Sequence, residues 1–429
     1  MRYPPVKAAL TSPKFVIEGG RALHGTVRAG GSKNGADYCL AACLLTGDEV
    51  ILENVPDIED VRVMAAILSA MGAQCVNEGN NTWRIRASVD RLESPNELAV
   101  TNRASFLIMG PLLGRFGEAA SCSPGGDVIG TRPLDVHLDG FSALGATISR
   151  RGEQYLAQTE NKSRLRGARI FLDYPSATGT MNVIFASVLA EGTSTIINAA
   201  MEPEIVSVAE MLNAMGAKIR GAGSSIIEVE GVTELHGTRH RVIPDRLETG
   251  TLLLCAAITR GQVKVESAAP WHLDALLTKV RAAGVVVDVQ DDTISVDAEG
   301  RRLRNIQAQA VPYPGLATDL HPTLAAFLTQ CQGVSVIHER VYENRLLYVG
   351  ELRKMGADII TAGQTAIITG PAALTGTVVK ALDVRAGGAL VLAALAAEGT
   401  TEINDAYHLD RAHEDLVGKL RRLGATVDR

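Results

Sequence analysis

A chain of 429 residues is long for one hydrophobic core, and about two domains is the expectation. With 46% hydrophobic and 21% charged residues, the composition is that of an ordinary globular protein rather than a disordered or fibrous one. The formal net charge of −6 excludes the electrostatic footprint of a nucleic-acid or anionic-membrane binder, so an anionic ligand has to be collected by local arginines against the overall charge.

Residues 1–15 carry basic side chains but no continuous apolar stretch, so no signal peptide is expected. No run reaches the roughly 18 uninterrupted apolar residues of a transmembrane helix; residues 390–397 are apolar but too short. The six cysteines (Cys39, Cys43, Cys75, Cys122, Cys255 and Cys331) are scattered and form no C-x-x-C pair. Cys39 and Cys43, four apart in an apolar run, read as helix core rather than metal ligands, and the set reads as reduced thiols of a cytoplasmic protein. Cys122, five residues before Asp127, is either one more buried thiol or a reachable one.

A Gly-Ala dipeptide or near match recurs: Gly72-Ala73, Gly145-Ala146, Gly216-Ala217, Gly284-Val285, Gly356-Ala357 and Gly424-Ala425. The steps between glycines are 73, 71, 68, 72 and 68 residues, which predicts six copies of one unit. In the first copy an all-apolar stretch at 38–45 predicts a core helix, and an amphipathic helix at 58–71 leads to Gly72 and a strand at 82–86. The second has a core helix at 105–113 and an amphipathic helix at 133–144. The third runs core helix 183–189, strand 195–198, amphipathic helix 203–215 and strand 225–229. The fourth runs 252–258, 263–267, 272–283 and 293–296 in the same order. The fifth has core helix 324–328, strand 334–338 and amphipathic helix 343–355. The sixth has core helix 389–397 and amphipathic helix 411–423. Three such copies can wrap three buried helices in helices and sheets, so six copies predict two α/β domains.

One stretch breaks the pattern: 123–137, which holds three glycines, Asp127, Arg132, Pro133 and His137. Glycine permits a positive φ or a close backbone approach, and Pro133 suits a first helical turn. The expectation is a glycine loop carrying Asp127 and running into a helix whose N-terminus carries Arg132, where anions are favoured. The plain alternative is a surface turn before a capped helix. Arg132, Arg345 and Arg411 precede their repeat glycines by 13, 11 and 13 residues, at the start of the amphipathic helix, while Lys33-Asn34, Arg103, Arg246, Asp319 and Arg385 start the core helices. Basic residues there oppose the helix macrodipole. Either they converge on an anion or each snorkels at the surface. No P-loop, zinc spacing or Ser-His-Asp signature is present.

With these residues in view, the chain resembles the enolpyruvyl transferases, in the cell-wall branch of that family. The matching motifs are Gly31-Ser32-Lys33-Asn34, Arg103-Ala104-Ser105, Pro124-Gly125-Gly126, the run from Gly130-Thr131-Arg132-Pro133-Leu134-Asp135-Val136 to His137, Pro244-Asp245-Arg246-Leu247-Glu248-Thr249-Gly250, Thr318-Asp319, Glu343-Asn344-Arg345, Asp383-Val384-Arg385-Ala386 and His408-Leu409-Asp410-Arg411. They span nearly the whole chain beyond about the first dozen residues. The resemblance implies a two-domain inside-out α/β barrel with three βαβαββ-type repeats per domain. It places one domain at 33–245 and the other at 1–32 joined to 246–429.

The reaction implied is transfer of enolpyruvyl from phosphoenolpyruvate to the 3′-hydroxyl of UDP-N-acetylglucosamine, with release of phosphate, as the first committed step toward the peptidoglycan precursor. By resemblance, Asp319 is the base for the hydroxyl. Lys33, Arg103, Arg132 and Arg411 surround the phosphoryl group, Arg345 and Arg385 act on the enolpyruvyl carboxylate, and Asn34 positions the intermediate. Arg132, Pro133, Leu134, Asp135 and Val136, with His137, Ser176, Ala177 and Val341, are placed against the nucleotide. Asp127 takes the position of the proton donor, where many relatives carry cysteine, and resistance to the epoxide fosfomycin follows. No metal or organic cofactor is implied, and the oligomeric state is open. The chain departs from the family pattern at Tyr174, Thr178, Met201 and Asp37. The alternatives are an enolpyruvyl transferase acting on another acceptor, such as a nucleotide or a shikimate phosphate, and an inactive paralogue that binds a UDP-sugar.

Overall fold

The computed structural model describes residues 13–429. Residues 1–12, and with them most of the stretch read for a signal peptide, lie outside the described residues. Among the described residues no helix is long and apolar enough to cross a membrane.

The secondary structure is mixed α/β, and the described strands form five four-stranded sheets and one three-stranded sheet. One plan recurs in them. Gly333–Glu339 pairs in parallel with the edge strand Gln307–Ala310 and antiparallel with Thr365–Gly370, and Asp358–Ala362 closes the far edge. The helix His321–Leu328 links the parallel pair, and Tyr348–Lys354 leads into the hairpin, giving the order β-α-β-α-β-β. In the sheet of Glu118–Cys122, Gln154–Gln158 and Thr147–Arg151 the parallel edge shrinks to one bridge, Glu93 to Ala120.

The repeating dipeptide is a repeating helix stop. All six glycines have φ between 94° and 106°. In every copy the glycine N–H bonds the carbonyl three residues back and the next N–H bonds the carbonyl five back, as in Gly72 to Ser69 and Ala73 to Leu68. This left-handed ending satisfies orphan carbonyls that only a residue without Cβ reaches unstrained.

Five core helices begin before the apolar runs that announced them: Lys33–Ala42, Ala177–Ser187, Arg246–Ile258, His321–Leu328 and Val384–Ala396; the expected helix at 105–113 is instead a 3-10 turn, Arg103–Ile108, followed by Met109–Phe116. Their polar first turns are part of the helix, and their apolar remainders are buried; Val384 to Leu395 is buried at every position. A fully buried leucine there stabilises by about 2 kcal/mol. Small residues set the spacing: a Cβ on Gly110 would lie 2.4 Å from the Asn182 carbonyl oxygen.

Several amphipathic helices start later than expected, by five residues at both Tyr348–Lys354 and Leu416–Arg422. The expected start at Pro133 is corrected to Asp135, because Arg132 has φ 45° and Gly130 φ 157°, so the chain is still turning there. The expected helix from Arg411 begins at Leu416; Arg411 ends the short helix Tyr407–Asp410, and Asp415 (φ 48°) caps the next. Arg345 opens a 3-10 turn, Arg345–Leu347, before Tyr348–Lys354.

Contacts group the chain into two compact units. The central unit comprises Ala29–Arg246 and Val311–Ala317; the terminal unit comprises 13–28, Leu247–Ala310 and Thr318–Arg429. Relative to the expected spans, the crossings fall a few residues away, and the short segment Val311–Ala317 groups with the central unit. Each unit holds three of the six sheets.

Candidate active site

The central unit carries one cluster. Lys33 opens its helix after Ser32, whose hydroxyl accepts from the Gly35 N–H at 3.1 Å. The structure answers this cation with acids: Lys33 Nζ lies 2.9 Å from Asp60 Oδ2 and 3.7 Å from Asp37 Oδ2. Both carboxylates are buried, where an ion needs a partner. Asn34 follows on the same turn, half-buried. The Asn102 side chain donates to the Asp60 carbonyl at 3.2 Å and accepts from the Ala104 N–H at 2.9 Å. The turn that opens with Arg103 is thereby tied to the helix that carries Asp60.

Arg103 in turn holds the glycine loop. Its guanidinium donates to the Arg132 carbonyl, and Arg132 Nη1 lies 3.5 Å from the Asp127 carbonyl. A Cβ on Gly125 would sit 1.6 Å from the Val100 carbonyl oxygen, so this approach admits glycine alone. Asp127 is half-buried on that loop. Beyond it Leu134 and Val136 turn inward, while Pro133 and Asp135 are exposed. The Tyr174 hydroxyl donates to Asp135 Oδ1 at 3.2 Å. Ser176 caps the helix Ala177–Ser187 by accepting from the Gly179 N–H, so Ser176 and Ala177 stand at a helix N-terminus.

His137 is the buried pivot of this region. Gly110 N–H donates to Asn182 Oδ1 at 2.9 Å, which fixes the amide; Asn182 Nδ2 then donates to the Phe106 carbonyl and to His137 Nδ1, at 2.9 and 2.8 Å. The imidazole proton therefore sits on Nε2, which faces Thr178 Oγ1 at 3.3 Å. Burial, reinforced by the Arg103 charge, pushes the His137 pKa down to about 3. His137 is thus a buried, neutral imidazole at the centre of this framework.

The terminal unit carries the second cluster. Asp319 lies in the turn Thr318–Leu320, and both its oxygens are held: Oδ1 by Arg345 Nη2 at 2.7 Å, Oδ2 by Arg385 Nη2 at 3.2 Å. Arg345 is 1% exposed and Asp319 26% in side chain, so a buried guanidinium presents a reachable carboxylate. Arg385 stands in the first turn of Val384–Ala396, where Asp383 offsets the adverse dipole by accepting from the Arg385 and Ala386 N–H groups at 2.7 and 2.9 Å. Val341 and Arg411 are half-buried in the same unit.

Thus Lys33, Asn34, Arg103, Asp127, Arg132 to His137, Ser176 and Ala177 belong to the central unit, and Asp319, Val341, Arg345, Arg385 and Arg411 to the terminal unit. Arg246 has a structural role instead: with Glu204 it forms a buried pair at 3.1 Å. The cysteines are free, with Cys75 half-buried and the others buried, and burial lifts the Cys39 thiol to about 12. Cys122 is 3% exposed, which settles it as buried. Among the described residues no group of three or more His, Cys, Asp or Glu is placed to hold a metal ion.

Sequence reasoning missed Asp60, Asn182 and Glu339, and gave Thr318 no role beyond its place in the Thr318-Asp319 motif. Asp60 is an acid on the buried face of an amphipathic helix, and Glu339 is in phase with Ser335 and Ile337 on the inward face of its strand. An acid at an inward position was the available signal.

Residues 17–420 match the family described as EPSP synthase (3-phosphoshikimate 1-carboxyvinyltransferase), and the chain belongs to this family of enolpyruvyl transferases. Within it, a Caldanaerobacter subterraneus protein named UDP-N-acetylglucosamine 1-carboxyvinyltransferase 1 is 45% identical over 97% of this chain and 99% of its own length. A Finegoldia magna protein named UDP-N-acetylglucosamine 1-carboxyvinyltransferase is 44% identical over 95% and 96%. Among solved structures, the enolpyruvyl transferase NikO from Streptomyces tendae superposes with TM-score 0.87 at 27% identity, over 97% of this chain and 98% of that one. EPSP synthase from Acinetobacter baumannii, 18% identical with TM-score 0.78 over 97% and 100%, shares the fold.

Proposed function

We propose that the chain is a UDP-N-acetylglucosamine 1-carboxyvinyltransferase, which transfers enolpyruvyl from phosphoenolpyruvate to the sugar 3′-hydroxyl and releases phosphate. The observation that carries the chemistry is Asp319, a reachable carboxylate gripped by Arg345 and Arg385; the near full-length kinship at 45% identity carries the acceptor.

In this reading Asp319 takes the proton as the hydroxyl oxygen bonds to C2 of phosphoenolpyruvate, while C3 gains a proton from Asp127 to become a methyl. The tetrahedral adduct then loses phosphate from C2 and a proton from C3, which restores the double bond in the product ether. A developing anion needs oriented cations. Lys33, Arg103, Arg132 and Arg411 serve the phosphoryl group, Arg345 and Arg385 the carboxylate, and Asn34 the adduct. Arg132 to His137, Ser176, Ala177 and Val341 serve the nucleotide. We read each unit as an inside-out barrel of three repeats, which its three sheets and apolar core helices support. A cytoplasmic place in peptidoglycan synthesis, and hence in cell shape and division, follows from the activity.

The test is phosphate release from phosphoenolpyruvate with and without UDP-N-acetylglucosamine, alongside Asp319→Ala. Release that requires the nucleotide sugar and collapses in the variant is expected. Release only with shikimate 3-phosphate or another acceptor would replace the substrate; nucleotide-sugar binding without release would replace the reaction.

A further inference from the structure

Behind Asp319 lies a buried carboxylate that the mechanism above does not use. Glu339 is fully buried at the end of Gly333–Glu339. Its Oε1 accepts from the backbone N–H groups of Val341 and Tyr342 at 2.8 and 3.2 Å. Its Oε2 accepts from the Thr318 hydroxyl and from His321 Nδ1, both at 2.9 Å. Burial works against this charge, but the bonds from His321, the Val341 N–H and Thr318 outweigh it and hold the carboxyl below its usual range.

The direction of the bonds matters. Thr318 has one hydroxyl proton, and Glu339, which can only accept, takes it. The lone pairs of Thr318 Oγ1 are thereby left for Arg345 Nε, which donates to it at 3.1 Å. The same guanidinium grips Asp319 Oδ1 through Nη2. A planar guanidinium held at Nε and at Nη2 has its plane fixed.

We infer that Glu339 is a positioning residue for the transfer: from one buried point it holds the Val341–Tyr342 turn and, through the Thr318 hydroxyl, the Arg345 guanidinium that aims Asp319. The inference rests on the function proposed above. It separates two tasks between two oxygens of one side chain. Oε1 serves the backbone beside a nucleotide contact, and Oε2 serves the acid–base pair. A networked buried anion of this kind acts on chemistry through geometry.

Glu339→Gln tests this. Two fixed backbone donors demand an oxygen at the Oε1 position, so the amide nitrogen falls opposite Thr318, where it donates and turns the hydroxyl round. The expected result, per folded molecule, is a kcat lower by about 10- to 100-fold with KM for UDP-N-acetylglucosamine within about twofold. Thr318→Val, which keeps the shape and loses the hydroxyl, reproduces the kcat loss, and Thr318→Ser restores it. Because both changes cut one chain of bonds, the double variant Glu339→Gln/Thr318→Val is no slower than the slower single variant. A role confined to stability would move melting temperature and leave these ratios alone. A kcat within twofold of the parent, or losses that multiply in the double variant, would overturn the inference. If the parent does not turn over UDP-N-acetylglucosamine, the proposed function fails, and crystal structures of the two single variants decide this point: a displaced Arg345–Asp319 pair supports it, an undisturbed pair overturns it.

Discussion

The two units solve the problem of a buried charge in opposite proportions. In the terminal unit two arginines share one acid, Asp319; in the central unit two acids, Asp37 and Asp60, share one lysine, Lys33. An acid held at both oxygens is fixed in position and presented as an acceptor. A lysine between two acids is aimed, but its charge is already answered, so an incoming anion must compete with Asp60 for it. The comparison teaches that a cation near a site is not by itself an anion site; what else grips it decides how much charge is on offer.

The largest effect is expected from breaking the terminal arrangement. Asp319→Asn keeps the shape, removes the proton acceptor and turns one of the two oxygens that hold the guanidiniums into an N–H donor, and kcat should fall by about 10³-fold, within the range of general-base contributions. A steady-state assay that finds less than a tenfold loss would move the base elsewhere. The loop offers the next test. Asp127→Cys should form a covalent adduct with fosfomycin, visible as a mass increase and loss of activity, while the parent chain stays unmodified, since a carboxylate is a far weaker nucleophile toward an epoxide than a thiolate. An adduct on Asp127 in the parent at ordinary drug concentrations would refute this. On the central pair, Asp60→Asn removes the nearer grip on Lys33, and KM for phosphoenolpyruvate should change by about tenfold with a smaller change in kcat. An unchanged KM would mean that Lys33 is held by its helix rather than by Asp60.

The smallest expected effect lies beside the Arg246–Glu204 pair. Glu202 Oε2 is buried without a partner among the described residues, and burial pushes its carboxyl up to about 7 against the pull of Arg246. A carboxyl whose folded value is raised binds its proton more tightly folded than unfolded, so stability is lost as pH rises from about 4.5 to about 7. Glu202→Gln should remove this slope and stabilise the protein at pH 8 by about 3 kcal/mol. Melting curves from pH 4 to 8 that stay parallel in parent and variant would show that Glu202 is not the source.

Much of this was legible in the chain itself. The Gly-Ala spacing announced six helix stops, and the structure returns six with one hydrogen-bond pattern. The apolar runs announced six core helices, but not their polar first turns, because a periodicity argument sees only the side that is buried. Helix starts at Arg132 and Arg411 were misplaced for a related reason: spacing from a glycine assumes unbroken helix, while a positive φ at Arg132 or Asp415 interrupts it. Of the site, the charged motifs stood out because arginines at helix starts are locally unfavourable. Asp60 and Glu339 did not, since Asp60 answers Lys33, 27 positions away, and Glu339 takes the Thr318 hydroxyl and His321, 21 and 18 positions away, besides its neighbours Val341 and Tyr342. Pairings of that kind come from topology, which a linear pattern does not carry.

The six helix stops also make the molecule its own control. The left-handed turn is the same in each, but the surroundings fall into two sets. A Cβ added at Gly145 or Gly424 would meet nothing within 4 Å, and at Gly216 only the His236 ring at 3.8 Å, an ordinary contact, whereas at Gly72, Gly284 and Gly356 it would come within 2.6, 2.9 and 2.8 Å of a backbone oxygen. Alanine at the open positions registers only the conformational penalty of the turn, about 1 kcal/mol. Alanine at the closed ones adds a collision to the same turn. One polypeptide thus holds, in duplicate and triplicate, the two quantities that a single glycine substitution always confounds.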